Sequence, residues 1–96
     1  MEILVAYDVS TETAEGQRRL RRVAKVCEAY GQRVQKSVFE CIVNAVQLEE
    51  FKHKLQREMD PTEDSLRLYR LREPRQRYLQ VMGRQPVFDL REPLVL

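Results

Sequence analysis

The chain has 96 residues, 43% of them hydrophobic and 33% charged, with a formal net charge of +2. A chain this short holds one domain and buries only about 60–65% of its unfolded surface, which leaves a second copy as a natural source of extra stability. The mixed signs exclude a disordered polyelectrolyte, no run approaches the about 20 apolar residues of a membrane span, and Met1–Val9 lacks the features of a secretory signal, so the expected location is the cytoplasm with no membrane partner.

Ile3-Leu4-Val5-Ala6-Tyr7 is a nearly continuous apolar run, the pattern of a central strand covered on both faces. It ends at Asp8, and Ser10 and Thr11 turn the chain. Thr11 or Thr13 is placed to cap a helix, with Glu12 and Glu15 in the favourable first turn. From Ala14 to Ala29 the periodicity is helical: Leu20, Val23, Ala24, Cys27 and Tyr30 form an inward stripe, and Arg18, Arg21, Arg22 and Lys25 a basic outer face. Gly31 stands where a helix end favours a left-handed residue.

Two strands follow between Arg33 and Val43, broken near Ser37. Leu48, Phe51, Leu55 and Met59 then repeat at helical spacing up to Asp60-Pro61, and Leu66 to Leu71 is a further strand with interleaved arginines. Pro74 breaks the pattern, a short turn or helix covers Gln76 to Val81, Gly83 to Pro86 is a loop, and Val87-Phe88 is a short fifth strand. The order predicts an α+β fold, the ferredoxin-like βαββαβ antiparallel sheet with both helices on one face. Residues 1–96 form a single domain in this reading, and 74–96 is a C-terminal extension expected to pack on a dimer partner. A second copy is the simplest cover for the other sheet face, so a homodimer is expected.

Charge is unevenly placed. Arg18, Arg19, Arg21, Arg22, Lys25, Arg33 and Lys36 are opposed only by Glu28, and the arginines between Leu66 and Arg84 only by Glu73. Arginine-rich segments suit a polyanion, although solvated helix faces look the same. Cys27 and Cys41 lie at core positions without Cys-x-x-Cys spacing, the pattern of buried thiols.

Several chemistries are excluded. His53 is the single histidine and has no cysteine or histidine near it, so a zinc site and a two-histidine ribonuclease both fail. Gly16, Gly31 and Gly83 are isolated, so there is no phosphate-binding glycine loop. Asp8 remains: at the end of a central strand it either caps a turn or holds a hard cation, since Mg²⁺ takes one or two carboxylates and keeps several waters. Two copies of Asp8 facing each other across a dimer axis would hold such a metal. Arg33, Lys36 and Phe39 form either an aromatic-plus-cation surface for nucleic acid or, for Phe39, part of a core or dimer contact.

Tyr7-Asp8-Val9, the run Arg18 to Val26 (RRLRRVAKV) and the run Tyr30 to Cys41 (YGQRVQKSVFEC) resemble the Cas-two family, the small CRISPR-associated endonuclease and adaptation protein. Asp64 to Leu71 and the tail Asp89 to Leu94 are similar to its branch with an extended C-terminus. The resemblance implies a ferredoxin-like homodimer joined in part by its final strand. It implies Asp8 as the metal residue, paired with its symmetry mate around Mg²⁺ or Mn²⁺. It places Tyr7, Arg33 and Phe39, and one of Arg18, Arg19 or Arg22, at positions linked to catalysis. From the charge pattern, Arg18, Arg19, Arg22, Lys25 and Lys36 are the expected nucleic-acid contacts. Family members are Mg²⁺-dependent endonucleases on single-stranded RNA or double-stranded DNA, and their dimers bridge two dimers of the Cas-one integrase in spacer acquisition. The loop Ser10 to Gly16 departs from the pattern, because many relatives carry further aspartates there.

Three functions follow as alternatives. In the first the chain is a metal-dependent endonuclease acting with the integrase. In the second it is a non-catalytic scaffold that supports DNA. The third, a toxin-like ribonuclease of the related virulence-associated family, is disfavoured by the run from Arg33 to Glu40.

Overall fold

The computed structural model describes residues 1–85. The elements are β1 (Glu2–Asp8), α1 (Ala14–Tyr30), β2 (Gly31–Gln35), β3 (Val38–Ile42), α2 (Ala45–Glu58) and β4 (Ser65–Leu71), followed by a 3-10 turn at Arg75–Arg77. The sheet order is β2-β3-β1-β4 and every pairing is antiparallel. This is the ferredoxin-like arrangement expected from the pattern. Val87-Phe88 and the end of the extension lie outside the described residues.

Alternation along β1 decides which face each side chain meets. Ile3, Val5 and Tyr7 are buried, and they join Val23, Ala24 and Cys27 of α1, Phe39 and Cys41 of β3, and Phe51 and Leu55 of α2 in one core. Both helices therefore pack on the same face of the sheet. The opposite face carries Glu2, Leu4, Ala6 and Asp8, with their register partners Ile42, Glu40 and Val38 on β3 and Leu71, Tyr69, Arg67 and Ser65 on β4. Fully burying side chains such as Phe39 and Phe51 contributes about 1.5–3 kcal/mol each before chain entropy is counted.

Local chemistry fixes the helix starts. The Thr13 side chain accepts from the Gly16 N–H at 3.0 Å, and Asn44 with Gln47 forms a reciprocal capping box at the start of α2. At the end of α1 the structure corrects one expectation. Gly31 is not left-handed but extended (φ −164°), and it opens β2 with no intervening loop. Glycine is required there by close approach: a Cβ would meet the Cys41 Sγ and the Glu40 carbonyl oxygen. The β2–β3 hairpin carries a register shift between Arg33 and Gln35, and its Ser37 carbonyl accepts from the Tyr7 N–H at 3.0 Å.

After β4 the chain turns back across its own sheet. Arg75 bonds Glu2 through its backbone N–H (2.9 Å) and Nη1 (3.1 Å), and its Nε lies 3.3 Å from Glu40 Oε1. Glu73 accepts from the Glu2 N–H at 3.0 Å. Among the described residues no helix is long and apolar enough to cross a membrane.

Candidate active site and nucleic-acid interface

The four residues expected to be catalytic divide between the two sheet faces. Asp8 is exposed at the end of β1, on the face away from the helices, with Ser65 as its register partner. Pairing of β1 with β3 extends only to Ala6, so Asp8 projects beyond that strand pair. Arg67 occupies the next pair along the same face and is exposed, its Nη1 donating to the Tyr69 hydroxyl at 3.0 Å.

Tyr7, Arg33 and Phe39 lie together on the helix side. Phe39 is 0% exposed and Arg33 3%, so the buried reading of Phe39 holds and the aromatic surface does not form. The cause is register: Phe39 pairs with Val5 and Arg33 with Phe39, which directs all three toward the core. The Tyr7 and Phe39 rings stack with centroids 6.3 Å apart, and the Arg33 guanidinium lies 5.1 Å from the Phe39 centroid. Arg33 Nη2 is 3.7 Å from Glu28 Oε1, which ties the end of α1 to β2. Burial pushes the Tyr7 phenol up to about 12 against the opposing pull of Arg33, which keeps it protonated near neutral pH. Arg33 and Phe39 shape the core beneath β1 rather than an exposed contact.

The basic residues of α1 separate in the same way. Arg18, Arg21, Arg22 and Lys25 line one shallow groove on the outer face, and Arg22 and Lys25 continue into a second beside Tyr30 and Lys54. Glu15 partly offsets this charge, since Arg18 Nη2 donates to it at 2.6 Å and Arg22 Nη1 lies 4.0 Å away. The bond from Arg18 holds the Glu15 carboxyl below its ordinary range. Lys36 is exposed in the hairpin turn. Arg19 is set apart from them: its Nε donates to Asp64 Oδ2 at 2.9 Å and its Nη2 to Oδ1 at 3.3 Å. Its side chain is 12% exposed and that of Asp64 1%.

Among the described residues no three His, Cys, Asp or Glu side chains converge. Asp64 accepts from Arg19, the Ser10 N–H and the Asp60 N–H, so its oxygens are occupied. Exposed Asp8 is a single hard donor, and a carboxylate there suits Mg²⁺, which takes one or two and retains most of its waters. Cys27 and Cys41 are free and buried. Burial pushes their thiols up to about 12 and about 11, which makes them poor nucleophiles and poor ligands. His53 is exposed on α2.

The sequence pattern left two residues of this region without a role, Asp64 and Gly16. Asp64 sits in an acidic stretch that looks solvated, and its burial depends on a partner 45 positions away. The one signal in the sequence was the position of Asp64 immediately before the β4 strand.

Comparison with known proteins was consistent across three measures. Residues 1–78 match the family described as CRISPR associated protein Cas2. The chain is 57% identical over 96 residues to the CRISPR-associated endoribonuclease Cas2 1 of Moorella thermoacetica, covering 100% of both chains. It is 47% identical over 95 residues to the CRISPR-associated endonuclease Cas2 of Halalkalibacterium halodurans, covering 99% of each. The crystal structure of Streptococcus pyogenes Cas2 at pH 6.5 superimposes with a TM-score of 0.79 at 49% identity, over 86% of this chain and 100% of that one.

Proposed function

The chain belongs to the Cas2 family of CRISPR adaptation proteins, and on that premise we propose that it is a metal-dependent endonuclease that cleaves nucleic-acid phosphodiester bonds. The observation that carries this reading is the exposure of Asp8 at the end of β1, on the sheet face that the helices leave uncovered. In the proposed homodimer two such faces meet, and the two Asp8 carboxylates together hold Mg²⁺ or Mn²⁺. A cation bound there would lower the pKa of a water and offset charge on the scissile phosphate. Arg18, Arg22, Lys25 and Lys36 hold the polyanion by its backbone. Relatives carry both endoribonuclease and endonuclease names, so single-stranded RNA and duplex DNA are both substrates to test.

The outer groove of α1 favours a second reading. Four clustered cations without a catalytic carboxylate among them suit a scaffold that supports DNA while a partner integrase performs the chemistry. The homodimer belongs to both readings.

Cleavage of single-stranded RNA and duplex DNA with and without Mg²⁺, using the native chain and Asp8→Ala, separates the two. The endonuclease reading expects cleavage that needs both Mg²⁺ and Asp8, with a loss of about 100-fold or more in the variant. Activity that is absent, or equal in Asp8→Ala, leaves the scaffold.

A further inference from the structure

Asp8 is the last residue of its strand, and its position depends on the backbone to either side. On one side its register partner is Ser65, the residue directly after Asp64. On the other side, two residues on, the Ser10 N–H donates to Asp64 Oδ1 at 3.2 Å. Asp64 therefore joins both neighbours of Asp8, one through the chain and one through its side chain. The Asp60 N–H at 2.9 Å and the Arg19 guanidinium complete its shell. Burial would push the Asp64 carboxyl up, but the bonds from Arg19, Asp60 and Ser10 together hold it below its ordinary range, so it remains ionised.

Gly16 packs closely against the other end of Ser10: a Cβ there would collide with the Ser10 carbonyl oxygen and lie 3.0 Å from its carbonyl carbon. Between Asp8 and Ser10, Val9 is 8% exposed in the core. The segment that carries Asp8 out of the sheet is thus fixed at three successive points. A buried ion pair is a poor stabiliser compared with apolar residues of the same volume, so one aimed at particular backbone groups has a use in geometry.

We propose that Arg19 and Asp64 are a positioning pair for Asp8, fixing the Asp8–Ser10 segment so that the carboxylate binds its divalent cation tightly. Arg19 then acts from inside the fold instead of on nucleic acid. This rests on the metal-site reading of Asp8 given above.

The test measures Mn²⁺ binding to the intact chain by electron paramagnetic resonance, alongside the cleavage rate at saturating Mn²⁺. It compares the native protein with Asp8→Ala, Asp64→Asn, Arg19→Lys and Gly16→Ala, all well below their melting midpoints. Arg19→Lys keeps the charge but loses the forked contact to Asp64, so it keeps the test decisive if Asp64→Asn fails to fold; Gly16→Ala retains both members of the pair and sets a Cβ against the Ser10 backbone, which has to move. Asp64→Asn and Gly16→Ala are expected to weaken Mn²⁺ binding by about tenfold, a larger loss than that in rate at saturation, and Arg19→Lys to fall between them and the native chain. Native affinity in those of Gly16→Ala, Asp64→Asn and Arg19→Lys that fold overturns the proposal. Equal Mn²⁺ binding by the native chain and Asp8→Ala overturns the metal-site reading itself, and the positioning role with it.

Discussion

Tyr7 and Asp8 are adjacent in the chain and opposite in environment, and that single step of alternation decides what each can do. Tyr7 shares its side of the sheet with Cys27 and Cys41, and all three groups are disfavoured as anions by burial. The consequence for stability has a definite sign. An unfolded thiol loses its proton near pH 9 and an unfolded phenol near 10, whereas the folded groups keep theirs until about 11 to 12. Across that window the folded state binds more protons, so stability falls as pH rises; below pH 9 the contribution is fully present. Urea midpoints measured from pH 8 to 11 should decline, and Cys27→Ala with Cys41→Ala should flatten the decline even though each variant is weaker at pH 8. A midpoint independent of pH up to 11 would show that these groups are not held neutral by the fold.

At the scale of elements, α1 carries the two kinds of basic residue on one helix. The inward stripe of Val23, Ala24 and Cys27 was legible from spacing alone, as were the Thr11-or-Thr13 start of α1 and the order of strands, because period and propensity are local properties. The division between Arg19 and its neighbours was not legible. Arg18 and Arg19 look alike in sequence, and only the return of the chain at Asp64 ties one of them to a buried carboxylate. The same limit applies to Gly31, whose role comes from Cys41 across the hairpin and not from the helix end beside it. For the outer face, binding through backbone phosphates gives an affinity that falls steeply with salt. Reversing charge at Arg18, Arg22 and Lys25 should weaken duplex binding for all sequences alike. The slope of log affinity against log salt should become shallower by about 0.9 for each phosphate that is no longer neutralised. Fluorescence anisotropy on two unrelated duplexes between low and physiological salt reads both effects. An unchanged slope would move the nucleic-acid surface away from α1.

The whole molecule is shaped by the face that its helices leave uncovered. Ile42 and Tyr69 remain 68% and 45% exposed on it. Arg75, bound to Glu2 and Glu40, carries the chain after β4 over part of the same surface. A chain of this size gains from burying such a patch, and a second copy placed there would bring the two β1 ends, and with them the two Asp8 carboxylates, toward one axis. Self-association and metal chemistry are then one property, because a lone carboxylate with its waters is a weak cation site. Tyr69→Glu replaces an exposed aromatic ring on the proposed interface by a carboxylate without touching Asp8 or the α1 groove. Sedimentation equilibrium at micromolar concentration should find the native chain dimeric and the variant self-associating about tenfold or more weakly, since the ring's apolar burial is lost and a carboxylate must be desolvated even with Arg67 beside it. Asp8-dependent cleavage should fall in proportion to the dimer population and recover as protein concentration is raised. A variant that becomes monomeric yet cleaves at the native rate would place the whole metal site within one chain, and the pairing of the two Asp8 residues would have to be abandoned.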